Sequence, residues 1–203
     1  MKIVLIVAGI IVVLFIVFQV YTVMSTKKSE TQPYTVIRVE QDFEIRFYPS
    51  ATMAIISSSA KSYKELGSSG FSKLAGYIFG GNKDKKQIAM TTPVHMNIGD
   101  SSSTMAFVMP ATYSKDNLPL PNNSAVTIHE TADEYVAAIT FGGFASNEEI
   151  KKQSLLLENA LKEKHIVYYG PFRFLGYNPP FQLLNRRNEI IVRIDKGEIS
   201  ETN

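Results

Sequence analysis

The chain has 203 residues, of which 45% are apolar and 20% charged, and its formal net charge is only +2. This nearly balanced charge provides no basic footprint for nucleic acid, so we expect no nucleic-acid partner. The absence of cysteine excludes disulfides, thiolate nucleophiles and iron–sulfur ligation.

The N-terminus is an apolar segment long enough to cross a bilayer. Ile3–Met24 contains 22 residues, of which Gln19 is the only strongly polar one, and lysines flank the segment on both sides. We predict an uncleaved transmembrane anchor over residues 1–24. The alternative, a cleaved signal peptide, usually has a shorter apolar core and a small-residue cleavage site, which the sequence VYTVMSTKK lacks.

The flanking charges hardly determine which way the anchor is oriented. Because only two residues precede Ile3, we expect a single-pass signal anchor with the following domain on the non-cytoplasmic side. We predict a polar linker over 25–33, one domain over 34–196 and a short tail over 197–203. The domain has about 160 residues, which is ample for a single hydrophobic core.

The domain contains a repeated pattern with an offset of 84 residues. A strand-like run at Ala51–Ser59 is matched by Tyr135–Gly143, and each run is followed by a capping box that begins a helix, at Ser62 and Ser146. Two later matches at this offset pair Ile88–Met96 with Phe172–Pro180, and Met105–Met109 with Glu189–Arg193. Four matches at one offset favour an internal duplication.

Each half is therefore predicted to be β-β-α-β-β. The predicted helices are Tyr63–Phe79, with a break at Gly67–Gly70, and Asn147–Lys164. The predicted strands are Phe43–Phe47, Ala51–Ser58, Gln87–Ala89 with Val94–Ile98, Thr104–Met109, Val126–Glu130, Glu134–Phe141, Phe172–Tyr177 and Glu189–Ile194. Two such halves predict an α+β domain in which two helices pack on an antiparallel sheet.

Three segments, taken in order, resemble the SOUL/haem-binding protein family. They are FSKLAGYIFGGNKDKKQIAMTTPV (Phe71–Val94), FVMPATYSKDNLPLPNNSAV (Phe107–Val126) and YNPPFQLLNRRNEIIVRI (Tyr177–Ile194). The resemblance covers about Tyr34 to Ile194. It implies a pseudo-twofold, distorted, antiparallel eight-stranded barrel flanked by two helices, with a cleft between helix and sheet that suits a flat apolar ligand.

The resemblance also implies haem or another tetrapyrrole as the ligand. The apolar patch that binds haem in this family lies around the first helix of the domain, and it corresponds here to Phe71, Leu74, Ala75 and Ile78. The same residues have the spacing of an ordinary core face, which is the competing interpretation. The basic residues near that helix in some family members correspond to Ser68 and Gly76, although Lys64 or Lys73 could replace them.

We predict no dedicated metal site. His95 is the candidate axial ligand, but its strand neighbours Val94 and Met96 are apolar, so alternation predicts that His95 faces the surface. His129 belongs to an alternating strand and His165 ends a helix, so structural roles are favoured for both. Near the C-terminus, Arg186 and Arg187 are expected to pair with a carboxylate or with loop carbonyls, and an anion site is the alternative.

The sequence lacks the common catalytic and nucleotide-binding motifs, so we predict a protein that is not an enzyme. The leading hypothesis is a membrane-anchored, non-catalytic protein that binds a tetrapyrrole such as haem reversibly in an apolar groove. An effector-type module for another amphipathic small molecule, a hydrolase using the same cleft, and an envelope interaction protein without a ligand are the alternatives. A buried Glu or Tyr with a perturbed pKa in the cleft would favour the hydrolase.

Overall fold

The computed structural model describes residues 1–99 and 101–199, so the last four residues of the predicted tail lie outside the described part of the chain. A short 3-10 helix, Lys196–Ile199, ends that part. The main elements in chain order are α1 (Lys2–Lys28), β1 (Thr35–Val39), β2 (Glu44–Tyr48), β3 (Thr52–Ser58), α2 (Tyr63–Ile78), β4 (Val94–Asn97), β5 (Ser103–Val108), β6 (Val126–Glu130), β7 (Glu134–Phe141), α3 (Asn147–Glu163), β8 (Tyr168–Gly176) and β9 (Asn188–Ile194).

Helix α1 contains the whole N-terminal apolar run. It continues to Lys28, so the first four residues of the segment predicted as a linker are helical. It is the one helix among the described residues that is long and apolar enough to cross a bilayer, judged by length and composition alone. Most of its apolar side chains are exposed, whereas Gln19 and Thr22 are buried. This exposure distinguishes α1 from the core helix of a soluble domain.

The strands form one antiparallel sheet in the order β1-β2-β7-β9-β8-β4-β5-β3-β6. The α+β class is therefore confirmed, with two corrections. Among the described residues there are nine strands rather than eight, because Thr35–Val39 adds β1 to one edge by pairing with β2. The sheet is also not closed into a barrel, since its end strands β1 and β6 each pair on one side only.

The strand order confirms the duplicated architecture. Exchanging each strand of the first half (β2 to β5) for its counterpart in the second half (β6 to β9) reverses the order β2-β7-β9-β8-β4-β5-β3-β6 onto itself. The strand registers agree in detail. Ile45 pairs with Ala137, and the residues related to them by 84 positions, His129 and Met53, also pair. Each half contributes its first strand to the other half, since β2 pairs with β7 and β6 pairs with β3.

The 84-residue offset fails at one pair of strands. Val94 of β4 pairs with Phe107, and Arg173 of β8 pairs with Ile191. Phe107 and Ile191 are related by the 84-residue offset, so Val94 and Arg173 occupy equivalent places in the two halves. They are 79 positions apart. The predicted match of Ile88–Met96 with Phe172–Pro180 is therefore wrong by five residues. The cause is that the connections between each helix and the next strand differ in length, which a fixed offset cannot accommodate.

The two helices cover one face of the sheet. Helix α2 lies against β3 and β5, and α3 lies against β7 and β9. The capping boxes are confirmed, since the hydroxyls of Ser62 and Ser146 accept hydrogen bonds from the backbone N–H groups of Glu65 and Glu149. The predicted break at Gly67–Gly70 is wrong, because α2 runs unbroken from Tyr63 to Ile78. Gly70 instead allows close approach, as a Cβ there would lie 2.8 Å from the Ile56 side chain.

The opposite face of the sheet is covered in its central part by chain segments without regular structure. The segment that follows α1 crosses this face, where Thr31 bridges Thr92 and the Gln32 N–H donates to the Thr92 carbonyl at 2.8 Å. The connection between β8 and β9 packs beside it. Both faces of the central strands are therefore buried, and this explains several side-chain positions that alternation alone does not predict.

Candidate functional site

The predicted ligand patch is divided between core and surface. Leu74 and Ile78 are buried in the main core between α2 and the sheet. Phe71 is half-buried, with its ring 5.3 Å from that of Phe107 in an edge-to-face contact, and Ala75 is also half-exposed. Two of the four predicted residues thus have the core role, and Phe71 and Ala75 remain accessible along one flank of α2.

A shallow groove of about 430 Å³ runs beside the C-terminal half of α2. We call it the α2 groove, and its lining consists of Ser72, Lys73, Gly76, Tyr77, Gly81, Asn122 and Asn123. Its far wall is held in place by the backbone, since the Asn122 N–H donates to the Gly81 carbonyl at 3.0 Å. A Cβ built at Gly76 would meet nothing within 4 Å, so the middle of the groove is open.

The groove joins the accessible part of the predicted patch. Ser72, Ala75, Gly76 and Phe79 follow one another at helical spacing, so they share one surface of α2. Phe79 caps the helix with 62% of its surface exposed. The result is a surface with an aromatic ring and small residues on one side and the exposed ammonium group of Lys73 on the other.

Besides Lys73, the titratable group that lines the groove is Tyr77, and its hydroxyl is already engaged in a hydrogen bond. It donates a hydrogen bond to the Pro119 carbonyl at 3.0 Å. Burial and the neighbouring Tyr113 raise the pKa of Tyr77 to about 12. The phenol is therefore neutral at physiological pH, and it is poorly suited to act as a base or as a phenolate ligand to iron.

His95 is not on the surface, so its predicted orientation is wrong. Alternation correctly places it opposite the helices, but the segment after α1 covers that face and leaves His95 only 7% exposed. Its Nε2 lies 2.8 Å from Oε1 of Gln32. Because an amide oxygen can only accept, Nε2 carries the proton in this contact. Burial, together with the charge of Arg173, lowers the pKa of His95 to about 3.

Neither of the other two histidines is among the residues that line the α2 groove. His129 is exposed on edge strand β6, with its Nε2 3.1 Å from the Thr127 hydroxyl. His165 is exposed just after α3 and has a left-handed backbone, with φ of 57°. No group of three or more His, Cys, Asp or Glu side chains that could hold a metal ion occurs within residues 1–99 and 101–199.

The strongest electrostatic feature of the domain is a buried network around Glu189, on the sheet face opposite the helices. Its Oε2 accepts hydrogen bonds from Arg46 Nη1 at 2.9 Å and Tyr177 Oη at 2.8 Å. Its Oε1 accepts from Thr140 Oγ1 at 3.1 Å and from Arg187, whose Nη2 is 2.6 Å away. Every carboxylate lone-pair direction is therefore engaged by protein donors.

The titration behaviour of this network follows from its charges. Burial opposes ionisation of Glu189, but Arg46 and Arg187 outweigh it and lower the pKa of the carboxyl. Burial and the same carboxylate raise the pKa of Tyr177. The Glu189 carboxylate is thus ionised at neutral pH and fully hydrogen-bonded, which suits a structural role better than proton transfer.

Arg186 satisfies backbone carbonyls. Its Nη1 donates to the carbonyls of Pro179 at 2.8 Å and Gln182 at 2.6 Å. The two arginines therefore divide the two structural roles that the sequence analysis proposed, with Arg187 binding the carboxylate and Arg186 binding the loop. Arg46, which completes the network, was missed because it lies 143 residues from Glu189.

Of the two cavities described here, the one at the exposed flank of α2 fits a tetrapyrrole better. The α2 groove has a volume in the range of small-molecule sites, an apolar border, and a lysine that can pair with a propionate. A second cavity of about 260 Å³ lies near Glu30 and Glu130, and its lining contains no basic side chain. Two carboxylates and a smaller volume make it unsuitable for an anionic macrocycle.

Comparisons with known proteins agree with this architecture. Heme-binding protein 2 of Mus musculus is 34% identical over 169 residues, covering 79% of this chain and 82% of that protein. Heme-binding protein 2 of Homo sapiens is 32% identical with the same coverage. Among solved structures, the C-terminal domain of EcmrR matches with a TM-score of 0.60 over 80% of this chain and 98% of that one, at 7% identity, which indicates a shared fold alone.

The family model described as SOUL heme-binding protein matches residues 29–193. This range includes both domain helices, the α2 groove and all nine strands apart from Ile194, the last residue of β9. Since the match covers most of the sequence, the chain belongs to the SOUL heme-binding protein family.

Proposed function

We propose that this protein binds haem or a related tetrapyrrole reversibly, without catalysis, and is held at a membrane by α1. The observation that carries the proposal is family membership over residues 29–193, together with relatives named heme-binding protein 2. The domain, proposed to extend over 34–196, offers an exposed groove that suits such a ligand. In this proposal tetrapyrrole and lipid are the partners, and nucleic acid is not.

The proposed binding surface is the α2 groove with the adjoining flank of α2. Phe71, Ala75 and Phe79 supply apolar contact for one edge of the macrocycle, while Leu74 and Ile78 support the helix from beneath. Lys73 pairs with a propionate. The groove is shallow, and therefore much of the ligand stays in contact with solvent, which favours exchange over tight retention.

Binding in this proposal does not depend on a protein ligand to iron. His95 is buried on the opposite face of the sheet and bonded to Gln32, and His129 and His165 lie on other elements. Tyr77 lines the groove but its hydroxyl is bonded to a carbonyl. The groove therefore holds the macrocycle by its face and its carboxylates.

The groove also favours binding over catalysis. The groups with the most strongly perturbed pKa values are Tyr177 and Arg46 beside Glu189, and His95 beside Gln32; none of them lines the groove, and all are hydrogen-bonded to protein groups. Within the groove the titratable groups are Lys73 and Tyr77, and a raised pKa makes Tyr77 a poor catalyst near neutral pH. This arrangement is a weak basis for the hydrolase alternative. An effector-type module would use the same groove with a different ligand.

Helix α1 supports the proposal of a single-pass membrane protein. Its exposed apolar surface has no cover within the described chain, and Lys27 and Lys28 in its last turn provide an interfacial end. We propose that α1 is retained as a signal anchor and that the domain lies on the non-cytoplasmic side.

The direct test is a haemin titration of the full chain in lipid nanodiscs, followed by the Soret band. We expect saturable binding that the variants His95→Gln, His129→Ala and His165→Asn each retain within about threefold, or about 0.7 kcal/mol. Circular dichroism verifies that each variant is folded. Loss of the Soret shift in His95→Gln alone would show iron ligation by that residue. Absence of haemin binding by the intact chain would refute the proposed function.

A further inference from the structure

Four large apolar side chains are exposed where the domain meets α1. They are Phe144 in the connection from β7 to α3, and Phe181, Leu183 and Leu184 in the connection from β8 to β9; we call them the apolar rim. Between 45% and 59% of each residue's surface is exposed. Arg186 joins the two connections, because its guanidinium lies 4.5 Å from the centroid of the Phe144 ring and bonds two carbonyls of the other connection.

The apolar rim is fixed to α1 by specific contacts. Gln19 Nε2 donates to the Phe181 carbonyl at 3.1 Å, and Gln19 Oε1 accepts from the Leu183 N–H at 2.9 Å. The Thr26 hydroxyl donates to Gln182 Oε1 at 2.8 Å, and the rings of Phe18 and Phe181 are 5.9 Å apart. The one strongly polar residue of the apolar run thus serves to hold this connection.

The attachment point lies inside the apolar run of α1. Gln19 precedes Met24, the end of that run, by five residues, which is about 8 Å along a helix axis. Tyr21, exposed two residues later, is of the type found at membrane–water interfaces. If α1 spans a bilayer, Phe181 and Leu183 are therefore held at the depth where interfacial apolar side chains reside.

Several backbone carbonyls of the connection from β8 to β9 are hydrogen-bonded within the protein, which suits this segment to apolar surroundings. Peptide groups in lipid need internal partners. The carbonyls of Pro179, Phe181 and Gln182 accept from Arg186 or Gln19. The Leu184 carbonyl accepts from Gln182 Nε2 at 2.8 Å, while Gln182 itself is buried. In this segment the Gln182 side chain turns inward, whereas those of Phe181, Leu183 and Leu184 turn outward.

From these observations we propose that the apolar rim inserts into the interfacial layer of the phospholipid bilayer beside α1. The occupant is lipid because the rim continues the exposed apolar surface of α1 at the level of Gln19. This inference rests on the proposed function in one respect, which is that α1 is in the membrane. The rim then provides a second membrane contact and prevents the domain from rotating freely about its anchor.

The test uses the natural absence of cysteine in the full chain. Single-cysteine variants Phe15→Cys, Phe144→Cys, Leu184→Cys and Leu120→Cys are labelled with the polarity-sensitive dye NBD and reconstituted in phosphatidylcholine vesicles. Leu120 is the matched control, because its side chain is apolar and exposed like those of the rim. Its backbone carbonyl accepts a hydrogen bond from the Lys83 N–H, so it is held by a different part of the domain from the rim. Quenching is measured with spin-labelled lipids that carry the label near the headgroup or deep in the acyl chain.

We expect the Phe15 label to be quenched by the deep spin label. The labels at Phe144 and Leu184 should show blue-shifted emission and quenching by the shallow spin label, while the Leu120 label keeps the emission of a water-exposed dye. Water-like, unquenched emission at both Phe144 and Leu184, with Phe15 still quenched, would overturn the inference and leave the anchor intact. Loss of quenching at Phe15 would instead refute the anchor on which the inference rests.

Discussion

Glu189 shows how one residue of the C-terminal motif organises the sheet face opposite the helices. A fully buried carboxylate is tolerated because two arginines and two hydroxyls contact it directly. Taking these charges out of water is costly, so the presence of these buried ion pairs is not evidence that they stabilise the fold on balance. Removing Glu189 alone is a different matter, since the buried Arg46 then keeps only Glu44, at 2.7 Å, and Arg187 loses the carboxylate that it contacts.

Glu189→Gln should therefore destabilise the domain strongly. It leaves Arg46 and Arg187 without their shared counter-ion, and we expect a loss of about 3–5 kcal/mol in the free energy of unfolding. The matched control is Glu134→Gln, which removes a half-exposed carboxylate bonded to Arg173 at 2.8 Å. There the expected loss is at most about 1 kcal/mol.

Both variants are measured by guanidinium denaturation of the full chain in detergent, followed by circular dichroism. Equal losses for Glu189→Gln and Glu134→Gln would contradict the network as described.

His95 provides a pH dependence with a defined sign. The pKa of His95 is about 3 in the folded chain, against 6.5 for an unperturbed histidine, the value that applies to the unfolded chain. Between these values the unfolded state binds a proton that the folded state does not, so stability is complete above pH 6.5 and falls as the pH decreases towards 3. From pH 7.5 to 5 this group should cost about 2 kcal/mol.

The variant His95→Gln removes this contribution while keeping a polar side chain. Its free energy of unfolding should fall less steeply between pH 7.5 and 5 than that of the natural chain, whatever its absolute stability. Parallel pH profiles for the two proteins would mean that His95 takes up a proton as readily in the folded state as in the unfolded state.

At the scale of elements, two glycines of α2 have opposite roles. Gly70 lies against the sheet, where a Cβ would be 2.8 Å from Ile56 and 3.3 Å from the Met105 sulfur, whereas a Cβ at Gly76 meets nothing within 4 Å. Gly76→Ala should stabilise the domain by up to about 1 kcal/mol through helix propensity. Gly70→Ala should bring the same gain in helix propensity, but overpacking against the sheet should destabilise the domain by about 1–3 kcal/mol.

Thermal unfolding of the two variants tests this contrast, with Gly76→Ala serving as the control for intrinsic propensity. A Gly70→Ala variant as stable as Gly76→Ala would show that α2 does not approach the sheet closely at Gly70.

The elements that the sequence predicts best are those with local signals. The capping boxes at Ser62 and Ser146 located both domain helices, and alternation located most strands. Strand β1 was missed because Val36, Ile37 and Val39 are all largely exposed at an edge, which leaves no alternating pattern. The five-residue error at β4 and β8 came from connections of unequal length, which carry no periodic signal.

The candidate site was harder to predict because its walls come from distant segments. The α2 groove exists because residues 121–123 pack beside Gly81 and Asn82, a contact across some forty positions of the chain. Alternation gave the correct side of the sheet for His95, but it contains no information on what covers that side. Helical spacing likewise identified Phe71 and Leu74 as neighbours without separating the accessible residue from the buried one.

At the scale of the whole molecule, the account combines an apolar helix with a duplicated domain docked against its C-terminal part. We predict that the full-length protein fractionates with membranes and resists alkaline carbonate extraction, because α1 presents a 22-residue apolar run. A chain that begins at Thr31 serves as the comparison and should be released. A mature N-terminus near Ser25, found by sequencing the protein from cells, would instead indicate a cleaved signal.

The most direct test of the central claim is to fill the α2 groove and measure haemin affinity. Gly76→Trp places a large ring in the open middle of the groove, and Ser69→Trp places the same ring on the exposed surface of α2 two turns earlier. In nanodiscs, we expect the dissociation constant for haemin to rise at least about tenfold in Gly76→Trp, or about 1.4 kcal/mol, and to stay near the natural value in Ser69→Trp. If the two variants, both folded by circular dichroism, bind haemin equally well, the ligand does not occupy this groove and the account is wrong.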